Sequence, residues 1–75
     1  HRVHLSRAFT RQYGLPPSLY RLRCKLGRAI SGLMQGESAA DAAQAGGFAD
    51  QAHFTRAARR QTGLTPHDLR ALMAA

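Results

Sequence analysis

The chain contains one stretch twice. Residues 4–21 read HLSRAFTRQYGLPPSLYR and residues 53–70 read HFTRAARRQTGLTPHDLR. At a constant offset of 49, nine of these eighteen positions are identical: His4/His53, Arg7/Arg56, Ala8/Ala57, Arg11/Arg60, Gln12/Gln61, Gly14/Gly63, Leu15/Leu64, Pro17/Pro66 and Arg21/Arg70. Each copy has the spacing of a basic amphipathic helix, a glycine that stops it, and a fresh helix start. Stacked solenoids need at least three repeats to close a core, so two copies argue against one. What the repeat demands instead is a fold that holds two similar basic helices at a set separation.

The material between and around the copies favours helices. Of 33 apolar residues, 14 are alanine, and among the larger ones nine Leu stand against one Ile and one Val. Alanine and leucine with few β-branched residues make poor strands and good helices. Residues 2–13 place Leu5, Ala8, Phe9 and Gln12 or Tyr13 on one face at i, i+3, i+4, i+7 spacing. Val3, Arg7 and Thr10 are expected to point away from that face, with Ser6 and Arg11 on its flanks. Gly14 is placed as a left-handed stop. Pro17 then suits the first position of a long helix over 17–35. Its apolar stripe is Leu19, Leu22, Leu26, Ala29, Ile30 and Leu33. Arg21, Lys25 and Arg28 form a basic stripe on another face, read equally as phosphate contacts or as a solvated surface.

Ser38 with Asp41 has the form of a capping box and opens a short helix over 39–45 whose inward face is Ala39, Ala42 and Ala43. Gly46-Gly47-Phe48 breaks it, and Asp50 is an N-cap for a helix over 51–62. That helix turns Phe54, Ala57, Ala58 and Gln61 inward, while Ala52, Arg56 and Arg59 point away, flanked by Thr55 and Arg60. Gly63 stops it, and Thr65-Pro66-His67-Asp68 starts a last helix over 66–73. No segment reads as a strand.

Charge narrows the partner. Residues 1–36 carry seven basic residues and no acid, whereas residues 37–75 carry four of each sign. A basic domain of this kind suits a polyanion, nucleic acid or an anionic membrane surface. Glycine stops, helix caps and the absence of Trp speak against a membrane-surface helix. The alternative retained is a non-specific basic nucleic-acid-binding or protein-interaction module. Enzymatic chemistry lacks its parts: there are no paired carboxylates, nucleophile elbow or phosphate-binding glycine loop. The single Cys24 and four scattered His offer no metal-ligand pattern, and no cofactor is expected. No apolar run approaches a membrane span and no secretory signal is visible. A start at His1 rather than Met marks a processed chain or an excised fragment.

Residues 38–62 thus have the shape of a helix-turn-helix, in which the N-terminal part of the second helix reads base edges in the major groove. Gln pairs with adenine, Arg with guanine, and small apolar groups with the thymine methyl. Gln51, Ala52, Thr55 and Arg56 occupy that part of the helix. In the first copy the corresponding readers are Val3, Ser6 and Arg7. Arg2, Arg11, Lys25, Arg28, Arg59 and Arg60 are the candidate phosphate contacts, and His4 and His53 stand at equivalent places near the helix starts.

The combined pattern resembles the DNA-binding domain of AraC/XylS-type bacterial transcription regulators. The second-unit signature of that family is carried by Ala42-Ala43, Gly47-Phe48, His53-Phe54, Thr55-Arg56, Gly63, Thr65-Pro66 and Arg70; the first unit is represented by Leu5-Ser6-Arg7, Phe9, Gly14 and Tyr20. The resemblance implies an all-α fold of two helix-turn-helix units joined by a long linker helix, the first unit incomplete in this chain. Within one domain over 1–75, residues 1–14 would hold the first recognition helix, 17–35 the linker, 38–62 the second helix-turn-helix and 66–73 the closing helix. About 19 residues at ~1.5 Å each span ~28 Å, close to the ~34 Å between successive major-groove faces. It also implies operator or promoter DNA as partner, RNA polymerase as a further candidate, an effector and dimerisation domain elsewhere in the full protein, and a place in the bacterial cytoplasm at the nucleoid.

Three departures set further expectations. The first unit's supporting helices are absent, which leaves Leu5 and Phe9 to be covered by something else. Ala58 stands where the family usually has Phe. Ala39 and Ala42 stand where larger aliphatics are usual. A change of that kind in a packed core costs about 2–5 kcal/mol, so the second unit is expected to be thinly packed.

Overall fold

A computed structural model describes the backbone of residues 2–74 and the side chains of residues 5–74. Five helices follow one another: α1 (Arg2–Tyr13), α2 (Pro17–Met34), α3 (Ala39–Gly46), α4 (Gln51–Thr62) and α5 (Pro66–Ala74). The class is all-α, and the described residues contain no strand.

Each boundary has a local cause. Gly14 and Gly63 take the same left-handed conformation, φ +82° and +80°, and each N–H closes the helix behind it onto the carbonyl four residues back, Thr10 and Arg59, at 2.8 and 2.9 Å. An L side chain would be strained at both points. Pro17 occupies the first turn of α2, where a missing N–H costs nothing. Ser38 Oγ accepts the Asp41 N–H at 3.1 Å, and Asp50 Oδ1 accepts the His53 N–H at 2.7 Å. Thr65 and Asp68 cap α5 reciprocally, each side chain accepting the other's N–H at 3.0 Å.

The 18-residue α2, about 27 Å long at ~1.5 Å per residue, is the element on which the rest is mounted. Its C-terminal half supplies Leu26, Ala29 and Leu33 to a core completed by Ala42 and Ala43 of α3, Phe48 of the turn, and Phe54, Ala57 and Ala58 of α4. Leu69 of α5 packs against this cluster. Phe48 and Phe54 stack at 5.4 Å between centroids.

The alanine core is fully closed: Ala29, Ala42, Ala43, Phe54 and Ala58 are all 0% exposed. Close helix approach replaces the absent bulk. A Cβ on Gly46 would sit 2.9 Å from the Lys25 carbonyl oxygen and 2.9 Å from Ala29 Cβ, so α3 lies directly on the backbone of α2. Against the expected thin packing, close approach at Gly46 leaves Ala42 fully buried, while Ala39 stays half-buried at the edge of the core.

α1 is held differently. Its contact with α2 is an aromatic cluster, Phe9 edge-on to Tyr20 at 5.3 Å, with Tyr13 4.5 Å from Phe9 and 5.4 Å from Tyr20. Leu5, expected on the inward face, is 71% exposed. Ala8 and Gln12 are exposed too, whereas Ser6 and Thr10 are half-buried. No helix among the described residues lies against the Leu5–Ala8 side. The apolar surface offered by α2 at this end is Tyr20, with Pro16 and Pro17 beside it. Of the expected inward face of α1, Phe9 and Tyr13 meet α2, and Leu5 lines the cleft beside them while staying largely exposed. The result is an elongated body of 44 × 23 × 18 Å.

Candidate nucleic-acid interface

The outward face of α4 follows from its inward one. Phe54, Ala57 and Ala58 are buried, and at 3.6 residues per turn the opposite side carries Ala52, Arg56 and Arg59. All three are exposed, as are Gln51 at the start of the helix and Arg60 near its end, while Thr55 on the flank is half-buried. Asp50, the one acid at this end, is spent as the cap. The first turn thus presents an amide and a methyl, and the second a half-buried hydroxyl and an exposed guanidinium. These are the groups that distinguish bases by their major-groove edges.

What lies behind α4 aims it. α3 meets α4 through a turn closed by Phe48 N–H to Ala43 O at 3.0 Å and Gly47 N–H to Gln44 O at 3.1 Å. Phe48 then faces both the His53 ring, edge-on at 5.2 Å, and the Phe54 ring. Phe48 is 5% exposed, so the turn packs into the core and ties the start of α4 to α2 and α3.

A family model described as a helix-turn-helix domain, of the AraC type, matches residues 1–72. The chain belongs to the AraC-type helix-turn-helix family. It is a DNA-binding domain. No curated protein and no solved structure matches the chain.

In this helix-turn-helix domain the expected phosphate-binding residues Arg11, Arg28, Arg59 and Arg60 are exposed, as is Arg7, expected as a base reader. Lys25 and Arg28 are tied into the second unit. Arg28 Nη2 donates to the Gly46 carbonyl at 3.2 Å, which places a cation at the C-terminal end of α3. Lys25 Nζ lies 6.0 Å from the centroid of the Phe48 ring, at the outer edge of cation–π distance. Ser6, expected as a base reader, is half-buried and lines a cleft between α1 and α2 with Leu5, Phe9, Pro17 and Arg21. The side chains of Arg2, Val3 and His4 lie outside the described residues.

Sequence reasoning left His67 and Arg70 out of the interface. The AraC-type fold brings both beside Gln51 and Thr55, lining one open cleft of about 390 Å³ at the head of α4. The Arg70 guanidinium donates to the Glu37 carbonyl in the turn between α2 and α3, and the Glu37 carboxylate fills the space above Gly32. A signal was present, since Arg70 and Arg21 are one of the nine identical pairs and Arg21 lines the equivalent cleft beside α1. Asp68 is the group whose acidity this arrangement alters: hydrogen bonds from the Thr65 backbone and hydroxyl hold its carboxyl below the usual carboxylate range, with help from His67 and Arg59.

Among the described residues no group of His, Cys, Asp and Glu could hold a metal ion. No described helix is long and apolar enough to cross a membrane. Cys24 is a free, exposed thiol on α2.

Proposed function

We propose that this domain binds double-stranded DNA sequence-specifically as part of a bacterial transcription regulator, with α4 in the major groove. Gln51, Ala52, Thr55 and Arg56 read base edges, and Arg59 and Arg60 hold phosphates along the same groove. α1 is the second DNA-contacting helix, through Arg7 and Arg11, and α2 is the spacer. At about 27 Å, α2 suits neighbouring major-groove faces ~34 Å apart. Lys25 and Arg28 brace α3 and the turn and add positive potential behind the reading helix. Operator DNA at the bacterial nucleoid is the partner, RNA polymerase a second one. Effector sensing and dimerisation belong to a domain elsewhere in the full-length protein.

The observation that carries the reading is the two-sidedness of α4. Its inner face is closed onto a fully buried core, and its outer face offers Arg56 to solvent with no acid beside it. A guanidinium so placed suits the O6 and N7 of guanine. Arg56→Ala is expected to cost about 1–3 kcal/mol on the preferred duplex and to relax selectivity at one or two base positions. Arg59→Ala and Arg60→Ala are expected to weaken all duplexes alike and to lower the salt slope by about one unit each. Titrations at several salt concentrations, on a selected and a scrambled duplex, separate the two behaviours. Equal affinity of the parent domain for both duplexes at every salt concentration would refute sequence-specific reading.

A further inference from the structure

The repeat extends from the sequence into the backbone. Gly14 and Gly63 stop α1 and α4 with φ +82° and +80°. The chain then re-enters a helix in the same register: the Tyr20 N–H closes on the Pro16 carbonyl at 3.0 Å, and the Leu69 N–H on the Thr65 carbonyl at 2.9 Å. Thr65 and Leu69 each stand 49 positions after Pro16 and Tyr20. Packing across the two elbows corresponds as well. Phe9 meets Tyr20, and Leu69 packs against the cluster that contains Ala58. The clefts beside α1 and α4 are lined by matching residues, Ser6 and Thr55, Pro17 and Pro66, Arg21 and Arg70.

Once one side of a helix is placed, its period places all the others. Ser6 and Thr55 are alike half-buried in their clefts. Arg7 and Arg56, next in sequence, are alike exposed, as are Arg11 and Arg60 about a turn further on. α1 and α4 therefore carry the same positions outward from the same elbow. The outward groups are also close in chemistry. Arg7 repeats Arg56, and Ser6 keeps the hydroxyl of Thr55. In sequence Val3 stands for Ala52, again an apolar group, and Arg2 for Gln51. Of these four pairs only the last changes the base preferred, guanine for Arg and adenine for Gln.

We infer that the DNA site of this chain is a quasi-repeat: two blocks of base pairs, one under each helix, read in one register and differing where Arg2 takes the place of Gln51. The block under α4 carries adenine at that place and the block under α1 carries guanine. Both carry a further guanine, for Arg56 or Arg7. This rests on the proposal that α4 reads bases in the major groove. Because the elbows are alike, the reading side chains are interchangeable between the helices, and moving them moves the preference.

Selection of the chain on a pool of random duplexes, repeated with two variants, tests this. Arg2→Gln, Val3→Ala and Ser6→Thr together give α1 the readers of α4. Gln51→Arg, Ala52→Val and Thr55→Ser together give α4 those of α1. For the parent the expected result is two blocks about 10 base pairs apart, alike except at one position. The first variant should select two copies of the α4 block, and the second two copies of the α1 block. In titrations the first variant should prefer a duplex with the doubled α4 block over the parent's own site by about ten-fold, and the parent should show the reverse preference. Ser6, Gln51, Ala52 and Thr55 all lie outside the buried core, and either variant decides the matter if circular dichroism shows the other unfolded. A parent site with one block, or with two unrelated blocks, would overturn the inference while leaving α4 as a reader. Folded variants that select the parent's site unchanged would do the same. No specified block at all would overturn the proposed function, and with it this inference.

Discussion

Gly46→Ala isolates the feature on which the second unit depends. Gly46 is the last residue of α3, and a Cβ there would lie 2.9 Å from both the Lys25 carbonyl oxygen and Ala29 Cβ. Carbon atoms in ordinary contact stand about 3.5–4.0 Å apart, so the methyl intrudes by roughly half an ångström or more. Neither neighbour can swing aside: one is the backbone of α2 and the other has no rotamers. α3 must retreat, and the layer of Ala29, Ala42 and Ala43, each 0% exposed, opens with it. The Arg28 bond to the Gly46 carbonyl lies at the same contact. Overpacking of this kind costs about 1–3 kcal/mol, against which the higher helix propensity of alanine returns at most about 1 kcal/mol. The net loss expected is about 1–2 kcal/mol, a fall in Tm of roughly 5–10 °C for a domain of this size. Gly27→Ala is the matched control, because a Cβ there meets nothing within 4 Å. It brings the same propensity gain without the clash and should stabilise by about 0.5–1 kcal/mol. Thermal and urea unfolding followed by far-UV circular dichroism read both. If Gly46→Ala is as stable as the parent, or gains as much as Gly27→Ala, the argument that close approach closes the alanine core is wrong.

Three further outcomes follow from the same contacts. Ala58→Phe, which restores the residue usual in the family, should destabilise by about 1–3 kcal/mol, since Ala58 is 0% exposed in a core already closed; a raised urea midpoint would contradict this. Asp68, whose folded carboxyl is held below its ordinary value by Thr65, contributes stability that is present above the unfolded carboxyl value of about 3.9 and is lost as pH falls through the lower folded value. Asp68→Asn should therefore flatten the decline of Tm below about pH 4, and an identical pH profile for parent and variant would remove Asp68 from that role. Finally, amide hydrogen exchange should find the amides around Phe54–Ala58 opening only with the whole domain, and those of α1 exchanging on the order of a hundred-fold faster or more. Equal protection in the two helices would mean that α1 is anchored as firmly as α4.

Much of this architecture is legible residue by residue. The stops at Gly14 and Gly63, the caps at Ser38, Asp50 and Thr65, and the inward trio Phe54, Ala57 and Ala58 all arise from interactions that span no more than four residues. The same locality makes the outward direction of Ala52, Arg56 and Arg59 readable, because once one face of a helix is apolar the opposite face follows from its period. Charge is additive along the chain, so a polyanionic partner needed no structure either. The family pattern rests on such local signals.

The distance and rotation of one helix against another are a different matter. That Gly46 brings α3 onto the backbone of α2 depends on residues about twenty positions apart meeting face to face, and a string of alanines reads as weak packing until that distance is known. The bond from Arg28 to the Gly46 carbonyl likewise joins residues eighteen positions apart. His67 and Arg70 joined Gln51 and Thr55 only once α5 had folded back beside α4. α1 shows the division most plainly. Its sequence determined a helix, its stop and its charges; the contacts of Phe9 and Tyr13 with Tyr20 decided where on α2 the helix rests. Backbone hydrogen bonds close locally and are written in the order of residues, whereas side-chain packing chooses among rotations that the same order leaves equally available.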